Sequence, residues 1–297
     1  MEALCKPALQ PFLDSTTPYE DARYVVIGAP LDSTASYRRG ARFAPDAIRL
    51  ASQYMETHSA RTGLGLKDVS LADLGNVRNS AEVDDHIRRV GDAVGSTKSD
   101  GKVPVLLGGE HTVTLGALRA LEPDLVVDFD AHLDLRDRLM GYELSHATFM
   151  RRAMEELDFR LAILGCRALS GEELDYAGSN ADRVTVVAAS DILKKGTDAG
   201  IEAVRSLLES ASSAYLSIDM DVVDPASAPA VGNPSPEGLT VTHLLDIAHG
   251  VVNGRFEGFD LTEVAPHYDS GLTSTQAAYI VLETIYFLES VSRGSTG

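Results

Sequence analysis

The sequence predicts an α/β fold built on a doubly wound, mostly parallel sheet of about eight strands. Three observations predict it. Short runs rich in Val, Ile and Leu alternate with longer amphipathic segments along the chain. Most of these runs are apolar without a break, as in strands covered by helices on both faces. Polar clusters follow several runs directly, where open α/β sheets bind ligands. No low-complexity linker, internal repeat or charge block divides the chain, so residues 1–297 are read as one domain.

The runs, in order, are "YVVIGAP" (24–30), "VSLADLG" (69–75), "VPVLLGG" (103–109), "DLVVDFD" (124–130), "RLAILGC" (160–166), "VTVVAAS" (184–190), "AYLSIDMD" (214–221) and "FEGFDLTEV" (256–264). Helical patterns between them include 81–97, 112–121, 198–211 and 241–253. The last pattern, 271–291, places Leu272, Ala277, Ile280, Val281 and Ile285 close to helical spacing. Boundaries read this way are good to about 2–4 residues.

Composition excludes several function classes. The chain is 44% hydrophobic, enough for a substantial core. Its net charge is −18, and only six of its 26 basic residues are Lys. Nucleic acid needs a positive footprint, so neither it nor an anionic membrane is an expected partner. An acidic chain with little Lys suggests adaptation to high salt, where self-repulsion is screened. No apolar run approaches the roughly 18 residues of a membrane span. The start, "MEALCKPALQPFLD", lacks the basic region and apolar stretch of a signal peptide. Cys5 and Cys166 are too few and too far apart for a disulfide framework or a cysteine metal cluster. The cytoplasm is the expected compartment.

The stretch "VVDFDAHLDLRD" (126–137) carries the first chemical signal. An apolar run enters a comb of Asp128, Asp130, His132 and Asp134. "GGEH", "DMD" and "TEVAPH" follow three other runs in the same way. Read singly, "DxD" in so acidic a chain is a solvated loop and His111 a core histidine. Acidity for solubility does not predict that these groups gather at matching strand ends. His111, Asp130, His132, Asp134, Asp219 and Asp221 together read as a metal site, because buried carboxylates are costly unless paired or bound to metal. In an extended segment Asp130, His132 and Asp134 would point to one side, and so would Asp219 and Asp221. Asp130 and Asp219 could each bridge two ions. His111 and His132 would complete separate shells, with one of Asp134 and Asp221 added to each. Carboxylates with some imidazole suit Mn²⁺; Zn²⁺ more often has fewer carboxylates or some thiolate. Asp128, inside the strand, is expected to make a structural hydrogen bond to a neighbouring loop.

"GGEHTVT", "DFDAHLDLRD", "SHATFMRR", "SIDMDVVDPASAP" and "GFDLTEVAPHYD" resemble the blocks of the arginase/agmatinase (ureohydrolase) family, in order and spacing. "YRRGARFAPDAIRLAS" (37–52) resembles that family's early "G-x-R-x-x-P-x-x-I-R" segment. The resemblance covers nearly the whole chain. It implies a three-layer α/β/α fold with an eight-stranded parallel sheet. It also implies two Mn²⁺ per chain, hydrolysis of a guanidinium group with release of urea, and a homotrimer or homohexamer. The metal ligands it implies are the six residues above. His146 resembles the family histidine that acts in proton transfer near the substrate. Glu263 resembles the carboxylate that pairs with the guanidinium. Asp134 would bond the water-derived nucleophile and deliver its proton to the leaving amine. Without the resemblance, His146 reads as a loop histidine and Glu263 as a partner for an arginine. Ser227 stands where the family usually has an aromatic residue and Ala230 where it usually has Gly. Residues 232–239 depart from the commoner run of Gly and Thr.

Loop 135–145 resembles agmatinase-type loops, and the −18 charge favours a cationic substrate. Agmatine, split into putrescine and urea, is therefore the expected substrate, which would place the enzyme in polyamine biosynthesis. Arg136 and Arg138 could instead pair with a substrate carboxylate, or with Asp137 and Glu143. Guanidinobutyrase, arginase and formimidoylglutamase activities are the alternatives within the family. A zinc-dependent deacetylase of similar architecture would leave "DMD" without a reason. A non-catalytic relative would be expected to lack some of the six ligands, and a purely structural acidic protein does not explain the clustering.

Overall fold

Nine strands form a single sheet in the computed structural model, which describes residues 4–294. In chain order they are β1 (Cys5–Lys6), β2 (Tyr24–Ala29), β3 (Leu71–Val77), β4 (Val103–Gly108), β5 (Leu125–Phe129), β6 (Arg160–Cys166), β7 (Val184–Ala188), β8 (Ala214–Ile218) and β9 (Phe256–Leu261). Each of the eight expected runs forms a strand. The additional β1 pairs antiparallel with β3 through two residues, too short to show any periodicity in sequence. All other neighbouring strands pair in parallel. The expected 1–297 domain includes residues 1–3 and 295–297, which lie outside the described residues.

The helices are α1 (Ala44–Ser52), α2 (Val83–Ser99), α3 (Thr114–Leu121), α4 (Phe149–Glu156), α5 (Gly171–Ser179), α6 (Ala189–Lys195), α7 (Asp198–Leu208), α8 (Val241–Val251) and α9 (Leu272–Gly294). Apolar stripes divide them between the two faces of the sheet. Ile48 of α1, Ile192 of α6, Val204 of α7, Leu244 of α8 and Ile285 of α9 enter one core. Ile87 of α2, Leu118 of α3 and Met150 of α4 enter the other. The result is a three-layer α/β/α molecule, and the strands between the layers are almost wholly buried. α1 is also pinned electrostatically. Buried Arg49 makes two hydrogen bonds to Asp73 of β3, at 2.8 and 2.9 Å.

Strand order positions the site. The sheet runs β1-β3-β2-β4-β9-β8-β5-β6-β7. From β4 the earlier strands extend toward one edge, and from β5 the next two extend toward the other. β9 and β8 fill the gap between β4 and β5. The register pairs Leu107 with Leu261, Leu216 with Phe259, and Phe129 with Ile218. The carboxyl ends of four adjacent central strands therefore lie level. The four polar clusters of the sequence are the segments that leave those ends, at the topological switch of the sheet.

Candidate metal centre and active site

His111 leaves β4, Asp130 leaves β5, Asp219 leaves β8 and Glu263 follows β9. Hydrogen bonds between the exiting segments hold them together. Asp219 N–H donates to Phe129 O at 2.8 Å, Thr262 N–H to Ile218 O at 2.9 Å, and Glu263 N–H to Gly109 O at 2.8 Å.

All six candidate ligands converge. His111 Nδ1 lies 3.3 Å from Asp130 Oδ2, 3.2 Å from Asp134 Oδ2 and 3.4 Å from Asp219 Oδ2. His132 Nδ1 lies 3.4 Å from Asp130 Oδ1 and 3.2 Å from Asp221 Oδ2. The two oxygens of Asp130 thus face different imidazoles, which is the arrangement of a bridging carboxylate. His111, Asp130 and Asp134 form one group with the spacing of a metal site, and Asp130, His132 and Asp221 form another.

The backbone route differs from simple alternation. β5 ends at Phe129, and Asp134 has a left-handed backbone with φ of 53°. A turn, not strand periodicity, brings Asp134 back to His111. β8 likewise ends at Ile218, and Met220–Val222 is a single 3₁₀ turn. The Asp219 side chain caps that turn by accepting from Asp221 N–H at 2.7 Å, which sets the two carboxylates side by side. Asp128 also departs from expectation. Its carboxylate is buried without a hydrogen bond, and His111 Nε2 lies 3.7 Å from it.

Protonation argues that the donor set fits a cation. Ser217 donates its hydroxyl hydrogen to Asp260 at 2.7 Å and lies 2.9 Å from His111 Nε2. With that hydrogen committed, Ser217 accepts from Nε2–H, and Nδ1 faces three carboxylates. Nδ1 and Asp130 Oδ2 are buried with no hydrogen-bond partner. Burial alone would lower His111, but Asp128 and the carboxylates around Nδ1 outweigh it and raise it well above the ordinary range. A nitrogen so placed holds either a proton or a metal ion. Burial, and then Asp130, push Asp134 up to about 7. Burial, and then Asp221, raise Asp219 well above a normal carboxylate. A divalent cation would relieve each of these penalties.

The cluster opens into a cavity of about 190 Å³ lined by Asp134, Arg136, His146, Asn233, Ser36 and Glu263, among others. Glu263 has φ of 65°, and its carboxylate accepts His111 N–H at 2.7 Å. Burial, and then Glu110, push it up to about 8. Gly232 leaves room for this carboxylate, because a Cβ there would sit 2.9 Å from Glu263 Oε2. His146 is buried, and burial holds its imidazole down to about 4. Its Nε2 lies 3.1 Å from Ser36 Oγ.

Sequence reasoning did not single out Ser36, Ala147 or Asn233, which complete the wall with Leu139 of loop 135–145. A lone Ser or Asn has no pattern to betray it. Asn233 falls in the 232–239 departure from the family run, whereas Ser227 and Ala230 do not line the cavity. Arg136 lines the mouth and lies 3.6 Å from Glu173, which also closes the capping box of α5. Arg138 pairs with Glu143, and Asp137 pairs with Arg152.

The comparison with known proteins decides the family. Residues 22–286 match the family described as "Arginase family". The chain belongs to the arginase family. It is 36% identical over 273 residues to the N(1)-aminopropylagmatine ureohydrolase of Thermococcus kodakarensis, covering 90% of this chain and 91% of that protein. It is 35% identical to the guanidinobutyrase of Pseudomonas aeruginosa over 92% of this chain and 88% of that one. In three dimensions it is similar to the agmatine ureohydrolase of Thermoplasma volcanium, with a TM-score of 0.88, 36% identity and 97% of each chain covered. The fold and the ureohydrolase class of this arginase-family hydrolase follow from these matches together.

Proposed function

We propose that this arginase-family hydrolase splits agmatine into putrescine and urea with two Mn²⁺ per chain. The observation that carries the reading is one cavity lined by four members of the cluster, His132, Asp134, Asp219 and Asp221, together with Glu263 and His146. A donor set of four carboxylates and two imidazoles, with no thiolate, suits Mn²⁺. His111, Asp134 and the two proposed bridges, Asp130 and Asp219, would hold one ion. His132 and Asp221 would complete the other with the same bridges. When bound, such a pair supplies activated water and stabilises a tetrahedral centre.

The remaining work falls to side chains. Glu263 binds the guanidinium and orients its carbon, an interaction that offsets the carboxylate's burial. Asp134 takes the proton of the attacking water and hands it to the departing amine. The amine leaves as an ammonium, and His146 relays the second proton of the water to it through its ring nitrogens.

The tail of the substrate is read from the mouth. Arg136 and Arg138 each have a carboxylate neighbour, Glu173 and Glu143, so neither is committed to a substrate carboxylate. The net charge of −18 draws a cationic tail. A second reading, a guanidino acid, is favoured by Arg136 lining the cavity. The same proposal takes the enzyme as one domain and as a cytoplasmic homotrimer or homohexamer, without nucleic acid or membrane as partner. Both cysteines are free and buried, in keeping with a reducing compartment. No helix among the described residues is long and apolar enough to cross a membrane.

The test is product release from agmatine, arginine, guanidinobutyrate and formiminoglutamate with added Mn²⁺, the last followed as formamide. Metal content is measured on the same preparation. Urea from agmatine and two Mn²⁺ per chain are expected. Turnover of guanidinobutyrate without agmatine would move the assignment to the second reading. One Zn²⁺ and no guanidine turnover would favour the deacetylase alternative and sink the proposal.

A further inference from the structure

Resting on that reading, we propose that Thr34 and Ser36, in the loop after β2, are positioning residues for His146, with Glu110 as their anchor. Glu110 is fully buried, yet it is neither one of the six candidate ligands nor part of the cavity wall. A buried carboxylate is expensive unless its oxygens are occupied. Thr34 occupies both: its Oγ1–H donates to Oε1 at 2.7 Å and its N–H donates to Oε2 at 2.8 Å. Thr112 Oγ1 adds a second donor to Oε1 at 2.9 Å. The Thr34 hydroxyl has one hydrogen, and Glu110 takes it. Its oxygen is left as an acceptor, and His146 N–H donates to it at 3.0 Å.

Two residues further on, the same loop reaches the ring. Ser36 Oγ lies 3.1 Å from His146 Nε2 and 3.4 Å from Asn233 Oδ1. With its hydrogen donated to Asn233 Oδ1, Ser36 accepts from His146 Nε2–H, and the hydroxyl joins the imidazole to the opposite wall. His146 Nδ1 has no hydrogen-bond partner, so Ser36 makes the only hydrogen bond to the ring among the described residues. Thr34 thus sets the height of the His146 backbone and Ser36 sets the rotation of its imidazole. The anchor is adjacent to His111, whose own N–H is held by Glu263. One hydrogen-bonded frame therefore relates the proton carrier to the guanidinium carboxylate and the candidate metal cluster.

Thr34→Val keeps the shape and removes both hydroxyl bonds, Thr34→Ser keeps the hydroxyl, and Ser36→Ala removes the contact to the ring. On the guanidino compound that the wild type hydrolyses best, Thr34→Val and Ser36→Ala are expected to lower kcat about 10–100-fold, with KM within about threefold. Metal content should be unchanged, and Thr34→Ser should restore most of kcat. Crystal structures of the variants should show His146 displaced or rotated. A wild-type kcat for Thr34→Val, or an equal loss in Thr34→Ser, overturns the role of the hydroxyl. If Thr34→Val does not fold, Ser36→Ala decides by the same measurements. If the wild type hydrolyses no guanidino compound, the functional reading fails by itself. The crystal structures still test the positioning, and an unmoved His146 overturns it.

Discussion

Asp130 shows how much one side chain is asked to do. Its Oδ2 faces His111 and its Oδ1 faces His132, while Oδ1 also accepts His132 N–H at 2.6 Å. Burial opposes its charge, but the two imidazoles outweigh burial and hold it below the usual carboxylate range. His146 works differently, because it lies outside the cluster and touches Ser36 and Thr34 instead. Under the proposed function, His146→Ala is therefore expected to lower kcat about 10²–10⁴-fold with metal content unchanged. Steady-state kinetics with metal analysis checks this, and loss of metal would contradict the separate role given to His146. At this scale the six candidate ligands stand out in the sequence, because His between carboxylates after an apolar run is distinctive. It could not name Ser36 or Asn233, whose chemistry depends wholly on what stands opposite them.

Single elements raise two further expectations. α1 is tied to β3 by Arg49 and Asp73, both buried. Arg49→Leu would leave the Asp73 carboxylate without its cation and is expected to destabilise the chain by about 3–5 kcal/mol. Denaturant unfolding measures it; a loss below about 1 kcal/mol would show that the pair is solvated. α2 carries His86, buried with neither ring nitrogen hydrogen-bonded. Burial, and then Arg89, hold its imidazole down to about 4. The unfolded chain takes up this proton near pH 6.5 and the folded chain only near 4. Stability is therefore lost as pH falls through that window, by about 3 kcal/mol from this residue, and the loss levels off below it. His86→Leu should flatten that part of the curve, read from unfolding at several pH values; an unaltered slope would exclude His86 as its source. Helices α1, α4, α5 and α6 do not stand out in periodicity, because about two turns carry few repeats of an apolar stripe, although the equally short α3 does within 112–121.

Over the whole molecule the net charge of −18 sets the long-range field. Self-repulsion among so many carboxylates is screened within a few ångströms at high ionic strength. Tm is therefore expected to rise as salt increases from about 0.01 M to about 1 M, with calorimetry as the measurement. A flat or falling Tm would remove the high-salt reading of the composition. The same field favours entry of a cationic substrate, so kcat/KM for agmatine should show the opposite dependence and fall with salt.

Local pattern sufficed for eight of the nine strands among the described residues, for a mostly parallel sheet, and for the residue types gathered in the candidate site. A strand buried on both faces has to be apolar along its length, and the polar groups that follow it stand out. The family resemblance in those same segments extended this to the class of reaction. Tertiary structure was needed to show that Asp134 returns through a left-handed turn, that Arg136 lies beside Glu173, and that Ser36 meets His146. Ser36 and His146 meet although 110 residues separate them, because the parallel sheet brings the loops that leave β2 and β5 to the same end. Periodicity reports which face of an element is buried. It carries no information about which distant loop will lie against that element's end.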